Sequence, residues 1–186
     1  MRTRFVASLG ATVAMMALAL TSCGNPPETE TEMVGQPQAP GALTEQDVYR
    51  EIGYVPMKDG VELAYVVWRP KQEGRYPTIV SYSPYATNGV PFKDVQLYLE
   101  HGYAYVGANI RGTSCSEGQY GLWHELEGPD GAQLIEWAGT QPWSTGSVGM
   151  VGISYPGHMQ IMTAAQHPSH LKAIAASGLT ASSYRD

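Results

Sequence analysis

Cysteine and positive charge are both scarce in this chain of 186 residues. Two cysteines, Cys23 and Cys115, cannot supply a disulfide framework, so the hydrophobic 43% of the residues must hold the fold through a core. Eleven basic residues face 17 acidic ones, which gives a formal net charge of −6. An acidic balance of this kind argues against nucleic acid as a partner.

The apolar run over residues 5–20 is too short for an ordinary membrane-spanning helix. It is 16 residues long, uncharged and preceded by two arginines, which is typical of an export signal. It ends in Leu20-Thr21-Ser22-Cys23, which resembles a bacterial lipobox. We therefore predict a lipoprotein signal peptide over 1–22, with diacylglycerol on the thiol of Cys23. The alternative is a simple secretory signal with an incidental cysteine.

Residues 23–45 are expected to form a disordered tether. They are poor in apolar side chains and rich in Pro, Glu, Gly and Gln, so they cannot bury enough surface to fold. A flexible coil of about 20 residues spans on the order of 25 Å, enough to hold a domain clear of lipid headgroups. The lipid on Cys23 would make the membrane a partner and place the protein in the bacterial cell envelope, facing outside the cytoplasm.

Strands alternate with helices along residues 46–186, which predicts an α/β domain with a mostly parallel sheet and an antiparallel N-terminal hairpin. The hairpin is expected to begin at residue 54 and to turn at Lys58-Asp59-Gly60 before a strand over 61–68. Short apolar runs predict further strands over 76–82, 103–110, 147–151 and 172–177. Helical spacing predicts helices over 92–101, 127–139 and 156–166.

The segment Gly152-Ile153-Ser154-Tyr155-Pro156-Gly157 matches the pattern G-x-S-x-G. It follows a predicted strand and precedes a predicted helix, which is the context in which this pattern forms a sharp turn carrying a nucleophilic serine. The two flanking glycines would leave space that side chains would fill. Pro156 comes one position too late to remove the N–H of Tyr155, which could stabilise an oxyanion. The alternative is a chance match in a chain with 21 glycines.

Several further segments together resemble the Xaa-Pro dipeptidyl-peptidase and cocaine-esterase type of α/β hydrolase over about residues 54–186. They are Asp59-Gly60-Val61-Glu62-Leu63, Ser83-Pro84-Tyr85, Arg111-Gly112 with Ser116-Glu117-Gly118, Ile135-Glu136-Trp137, Gln141-Pro142-Trp143 and Gly146-Ser147-Val148-Gly149-Met150.

The resemblance implies three site residues: Ser154 as nucleophile, the Tyr155 backbone N–H as one oxyanion donor, and the Tyr85 hydroxyl as the second. The alternative for Tyr85 is a turn aromatic packed on the sheet edge. In the loop of Arg111, the chain departs from the pattern Asp-x-Arg-Gly-x-Gly-x-Ser-x-Gly, with Asn109 in place of the Asp and Ser114 in place of the second Gly. These departures put the packing of that loop in doubt.

The acid and base of a catalytic triad are expected after the serine, on later strands. Only 32 residues follow Ser154, so we expect the chain to be the N-terminal fragment of a longer protein, ending near the start of a helical cap and inactive by itself. His158, His167 and His170 follow too closely and are expected to be surface or capping residues. Pro168 argues against a metal site between the last two, and nothing near Cys115 could activate it as a nucleophile.

The resemblance implies a serine hydrolase that cleaves a small ester, amide or peptide substrate without a cofactor. Esterase or acylase action and Xaa-Pro dipeptidyl-peptidase action both remain open, because the cap and C-terminal regions would decide between them. The alternative from another functional class is a lipid-anchored binding protein on a hydrolase scaffold whose serine is catalytically idle.

Overall fold

The computed structural model of this chain describes residues 43–180. The predicted signal peptide, Cys23 and nearly all of the predicted tether lie outside the described residues, as do the last six residues. In the described part, six strands and three α-helices follow one another along the chain. They are β1 (Val48–Pro56), β2 (Glu62–Pro70), β3 (Tyr76–Ser83), α1 (Phe92–Glu100), β4 (Ala104–Asn109), α2 (Glu127–Thr140), β5 (Ser144–Ile153), α3 (Tyr155–Ala164) and β6 (Leu171–Ser177).

The strands form one mixed sheet in the order β1-β2-β4-β3-β5-β6. β1 and β2 form the predicted antiparallel hairpin, and β2 also runs antiparallel to β4. From β4 onward every pairing is parallel. β3 and β5 are parallel neighbours in this sheet, so the loops after them begin at the same edge.

Helices cover both faces of the sheet, each over its own hydrophobic core. Leu134 and Ile135 of α2 and Met159 of α3 pack on one face. Phe92 and Val95 of α1 pack on the other. The alternation along β2 divides its side chains between the two cores: Leu63, Tyr65 and Val67 belong to the first, and Val66 and Trp68 to the second. The predicted α/β-hydrolase architecture, a mostly parallel sheet with an antiparallel N-terminal hairpin, is confirmed.

The prediction that the first strand begins at residue 54 is wrong, because β1 begins at Val48. This edge strand exposes most of its residues, and Ile52 is 64% exposed. A strand with few inward-facing positions lacks the alternation by which strands are recognised in a sequence. β5 also begins earlier than predicted, at Ser144.

No helix within residues 43–180 is both long and apolar enough to cross a membrane.

Candidate active site

Ser154 is the single residue between the end of β5 and the start of α3. Its backbone has φ 66° and ψ −123°, a conformation that only glycine adopts without strain. The side chain is exposed. A strand that reverses into a helix through one strained residue is the turn that the motif predicts.

The two glycines of the motif are required by space. A Cβ at Gly152 would overlap the Cβ of Pro156 in the first turn of α3. A Cβ at Gly157 would lie 2.6 Å from the carbonyl oxygen of Ser177, at the end of β6. Because both positions lack a side chain, the helix approaches β5 and β6 closely enough to force the sharp turn at Ser154.

Hydrogen bonds to the main chain hold Ser154 on both sides. Its N–H donates to the carbonyl of Ser177 at 2.9 Å, which attaches the turn to β6. Its carbonyl accepts from the N–H groups of Gly157 at 2.8 Å and His158 at 3.1 Å, the first bonds of the helix. These bonds offset the backbone strain and keep the serine at the end of the sheet.

Tyr155 is the first residue of α3, so its N–H has no acceptor within the helix and is available beside Ser154. Its side chain is buried, and its hydroxyl donates to Oε1 of Glu127 at 2.6 Å. The same hydroxyl accepts from the N–H of Trp123 at 3.3 Å, and the Trp123 ring stacks on the Tyr155 ring with centroids 4.4 Å apart. The residue that presents the candidate oxyanion N–H is therefore fixed at its backbone and at its side chain.

Tyr85 lies in the loop after β3, at the edge of the sheet where β5 ends. Its ring meets that of Tyr155 edge-on, with centroids 6.5 Å apart and an interplanar angle of 72°. The side chain is 57% exposed, so it is not packed under the sheet edge. The structure thus brings Tyr85 to the same end of the sheet as Ser154 and Tyr155.

Sequence reasoning missed Glu127 and Trp123, which belong to the surroundings of Tyr155. Glu127 is 1% exposed at the start of α2, and burial raises the pKa of its carboxyl above the ordinary value. Burial and the bond to Glu127 raise the pKa of the Tyr155 hydroxyl, which keeps it a donor. Neither residue belongs to a recognisable motif, and no signal in the sequence could have paired them with Tyr155 across the fold.

A buried ion pair anchors the loop after β4 beside this cluster. Arg111 donates to both carboxylate oxygens of Asp130 in α2, at 2.6 and 2.8 Å. It also reaches Asp59 in the hairpin turn at 3.0 Å, and this bond lowers the pKa of the Asp59 carboxyl. Because Arg111 and Asp130 are both buried, the bidentate pairing is what makes burial of their charges tolerable.

Two of the three histidines that follow the turn contact main-chain carbonyl groups. The Nδ1 atom of His158 lies 3.1 Å from the carbonyl oxygen of Ser154, so the ring caps the main chain of the first helical turn. The Nδ1 atom of His170 lies 2.8 Å from the carbonyl oxygen of Gly146, the third residue of β5, and His167 is exposed after α3. Cys115 is a free, exposed thiol in the loop after β4.

The amino-acid sequence is similar to known hydrolases. The profile described as X-Pro dipeptidyl-peptidase (S15 family) matches residues 59–186. The cocaine esterase of Rhodococcus sp. (strain MB1 Bresler) is 36% identical over 136 residues, which cover 70% of this chain and 24% of that protein.

Solved structures give the same result. A CocE/NonD family hydrolase from Staphylococcus aureus superposes with a TM-score of 0.63 at 29% identity, over 67% of this chain and 26% of that one. An alpha-amino acid ester hydrolase superposes with a TM-score of 0.62 at 28% identity, over 83% of this chain and 28% of that one. The chain thus spans about a quarter of the length of the relatives it matches.

The profile match covers more than half of the chain and contains the turn at Ser154 together with the loops of Tyr85 and Arg111. The resemblance predicted from those segments is confirmed, and this chain belongs to the X-Pro dipeptidyl-peptidase (S15) family of α/β hydrolases.

Proposed function

We propose that the complete protein is a serine hydrolase that cleaves an ester or amide by acyl transfer, with Ser154 as its nucleophile. The observation that carries the proposal is the conformation of Ser154, at φ 66° between β5 and α3. Strain of this kind persists only where the surrounding structure over-determines it, and it concentrates at functional sites. A hydroxyl raised from the sheet at the start of a helix is suited to attack a carbonyl.

In the first step, the Oγ atom of Ser154 bonds to the carbonyl carbon while a base takes the hydroxyl proton. The carbonyl oxygen becomes an oxyanion that accepts hydrogen bonds from the Tyr155 N–H and the Tyr85 O–H. The tetrahedral intermediate collapses when the bond to the alcohol or amine breaks and that group takes the proton from the base. Water then releases the acyl group by the same steps, and Ser154 regains its proton.

The Tyr155 N–H and the Tyr85 hydroxyl are the two donors that we propose for the oxyanion. Loss of one such donor typically costs about 10²–10³ in kcat. Tyr85→Phe removes the phenol with little change in shape and is expected to lower kcat by about that factor. Tyr54→Phe is the matched control, because Tyr54 is also exposed, at 51%, and lies on the edge strand β1.

The base is proposed to be a histidine oriented by a carboxylate, both from sequence that would follow Asp186 in the longer protein. In this fold the triad members follow the order serine, acid, histidine. The ring of His158 contacts the Ser154 carbonyl, which is a contact to the main chain. His158→Ala is therefore expected to leave the reactivity of Ser154 largely intact.

A fluorophosphonate probe on the full-length protein tests the nucleophile directly. We expect wild type to be labelled and Ser154→Ala to remain unlabelled. Ser169→Ala should be labelled like wild type, because Ser169 is an exposed serine whose hydroxyl binds Glu136. Absence of labelling in the folded wild-type protein would instead favour the lipid-anchored binding protein with an idle serine.

The proposal is limited to acyl transfer from an ester or an amide. That chemistry is common to cocaine esterase, alpha-amino acid ester hydrolase and the X-Pro dipeptidyl-peptidase family. Comparing kcat/KM for an activated ester with that for an Xaa-Pro anilide separates esterase from peptidase action. Both activities should disappear in Ser154→Ala, because both use one nucleophile.

We also propose that Cys23 carries the lipid that anchors the protein to the cell envelope. Metabolic labelling with a radioactive fatty acid should mark the wild-type protein and not Cys23→Ala. Cys115→Ala is the matched control, since it removes the other cysteine and should keep the label.

A further inference from the structure

The loop that carries Tyr85 packs against the end of β4. Residues Thr87–Gly89 form a single 3-10 turn after Tyr85. The Thr87 hydroxyl donates to the carbonyl of Ala108 in β4 at 2.6 Å. A Cβ at Gly107 would overlap the Thr87 carbonyl, so the missing side chain of Gly107 lets the loop rest directly on the strand.

Asn109, the last residue of β4, binds this loop through a side chain that is fully buried. Its Oδ1 accepts from the N–H of Asn88 at 2.9 Å, which is the shortest of its side-chain bonds. Its Nδ2 lies 3.4 Å from the carbonyl of Ser83, the last residue of β3. One buried amide therefore contacts the chain on both sides of Tyr85.

Ser114, in the loop after β4, also binds the loop that carries Tyr85. Its hydroxyl donates to Oδ1 of Asn88 at 3.0 Å. Its φ of 50° is a left-handed conformation that favours glycine, and the side chain that costs strain there is the one that binds Asn88. The two positions where this chain departs from the family pattern thus meet at the same residue of the Tyr85 loop.

We propose that Asn109 and Ser114 are positioning residues that fix the loop over 85–89 and so aim the Tyr85 hydroxyl at the oxyanion on Ser154. This inference rests on the proposed function of Tyr85. The side chain of Tyr85 is more than half exposed, so its edge-on contact with the Tyr155 ring leaves its position dependent mainly on the loop. The main chain of that loop is held at Tyr85 itself by the N–H bond to the Ser83 hydroxyl, and beyond it at Thr87 and Asn88.

The kinetic test is a double-mutant cycle in the full-length protein with an activated ester as substrate. Asn109→Ala and Ser114→Ala are each expected to lower kcat by about three- to tenfold, as for loss of one net hydrogen bond, with little change in KM. In the Tyr85→Phe background the same substitutions should have almost no further effect, because the hydroxyl that they position is gone. Asn109→Asp keeps the acceptor for the Asn88 N–H and should lie closer to wild type than Asn109→Ala.

The matched control is Ser169→Ala, which also removes a bonded hydroxyl but far along the chain, on the α3–β6 connection. It should leave kcat unchanged. If Tyr85→Phe lowers kcat but the effects of Asn109→Ala simply multiply with it, the positioning role is overturned while the proposed function stands. If Tyr85→Phe leaves kcat unchanged, the oxyanion role and the positioning role both fail.

A second readout does not depend on hydrolysis. The Asn88 amide hydrogen, bound to Asn109, should exchange with solvent faster in Asn109→Ala than in wild type, while the amides of α2 exchange at unchanged rates. An unchanged exchange rate at Asn88 would show that Asn109 does not hold the loop over 85–89, whatever the protein's activity. Faster exchange throughout would show general unfolding and would also overturn a local role.

Discussion

Replacing Ser154 with glycine is expected to stabilise the protein while removing its candidate nucleophile. The residue is held at φ 66° and ψ −123°, where a side chain costs about 1–3 kcal/mol of strain. Glycine relieves that strain but makes the unfolded chain more flexible, which costs about 0.4–1 kcal/mol. The net gain should be about 0.5–2 kcal/mol relative to Ser154→Ala, which lacks the hydroxyl but keeps the Cβ and its strain.

The assay compares thermal unfolding of the two variants in the full-length protein. Since about 1 kcal/mol shifts the melting temperature of a domain of roughly 150–250 residues by roughly 2–4 °C, and that of a larger domain by less, the comparison needs matched scans of the two variants. Both variants should lack fluorophosphonate labelling, so a gain in stability cannot be attributed to a retained active site. A melting temperature of Ser154→Gly at or below that of Ser154→Ala would refute the claim that the turn stores strain.

Three other substitutions follow from the packing around the turn. Arg111→Met leaves Asp130 buried without its partner and should cost about 3–5 kcal/mol in unfolding experiments, and much of that loss should be recovered when Asp130→Leu is added. Gly157→Ala places a Cβ 2.6 Å from the Ser177 carbonyl, and the overpacking should cost about 1–3 kcal/mol, with a loss of probe labelling. Glu127 has a raised pKa because of burial, so its contribution to stability is largest at acid pH and is lost as pH rises through that pKa. Melting temperatures measured from acid pH upward through that pKa should depend less on pH in Glu127→Gln than in wild type. An equal pH dependence in the two proteins would show that Glu127 is not the group responsible.

The three helices and the strands β3 and β6 are predicted to within two residues at each end. α1 and α2 begin at Phe92 and Glu127, as predicted, because their apolar positions recur at helical spacing on one face. β1 is predicted six residues too short, because its first six residues include Arg50 and Glu51 and so form no apolar run. Apolar runs and helical spacing therefore identify most of the elements, including the edge strand β6, and miss the polar start of β1.

Part of the candidate site can be predicted from the sequence, and part cannot. Ser154 and the glycines of its motif can be found from the sequence, because one strand, one turn and one helix lie next to each other along the chain. Glu127 and Trp123 meet Tyr155 only after the fold has formed, 28 and 32 residues away in sequence. A contact between residues that are far apart in the sequence does not affect local residue spacing. Such partners can therefore be identified only in the folded structure.

The two proposed oxyanion donors depend on their surroundings to different degrees. The N–H of Tyr155 belongs to α3, and its position follows from the bonds of Gly157 and His158 to the Ser154 carbonyl, which no side-chain substitution removes directly. The hydroxyl of Tyr85 stands on a loop that depends on polar side chains from β4 and the following loop. Substitutions beyond the site should therefore weaken oxyanion binding mainly on the Tyr85 side. The same asymmetry makes that loop the part of the site where small sequence changes can tune the rate without unfolding the turn at Ser154.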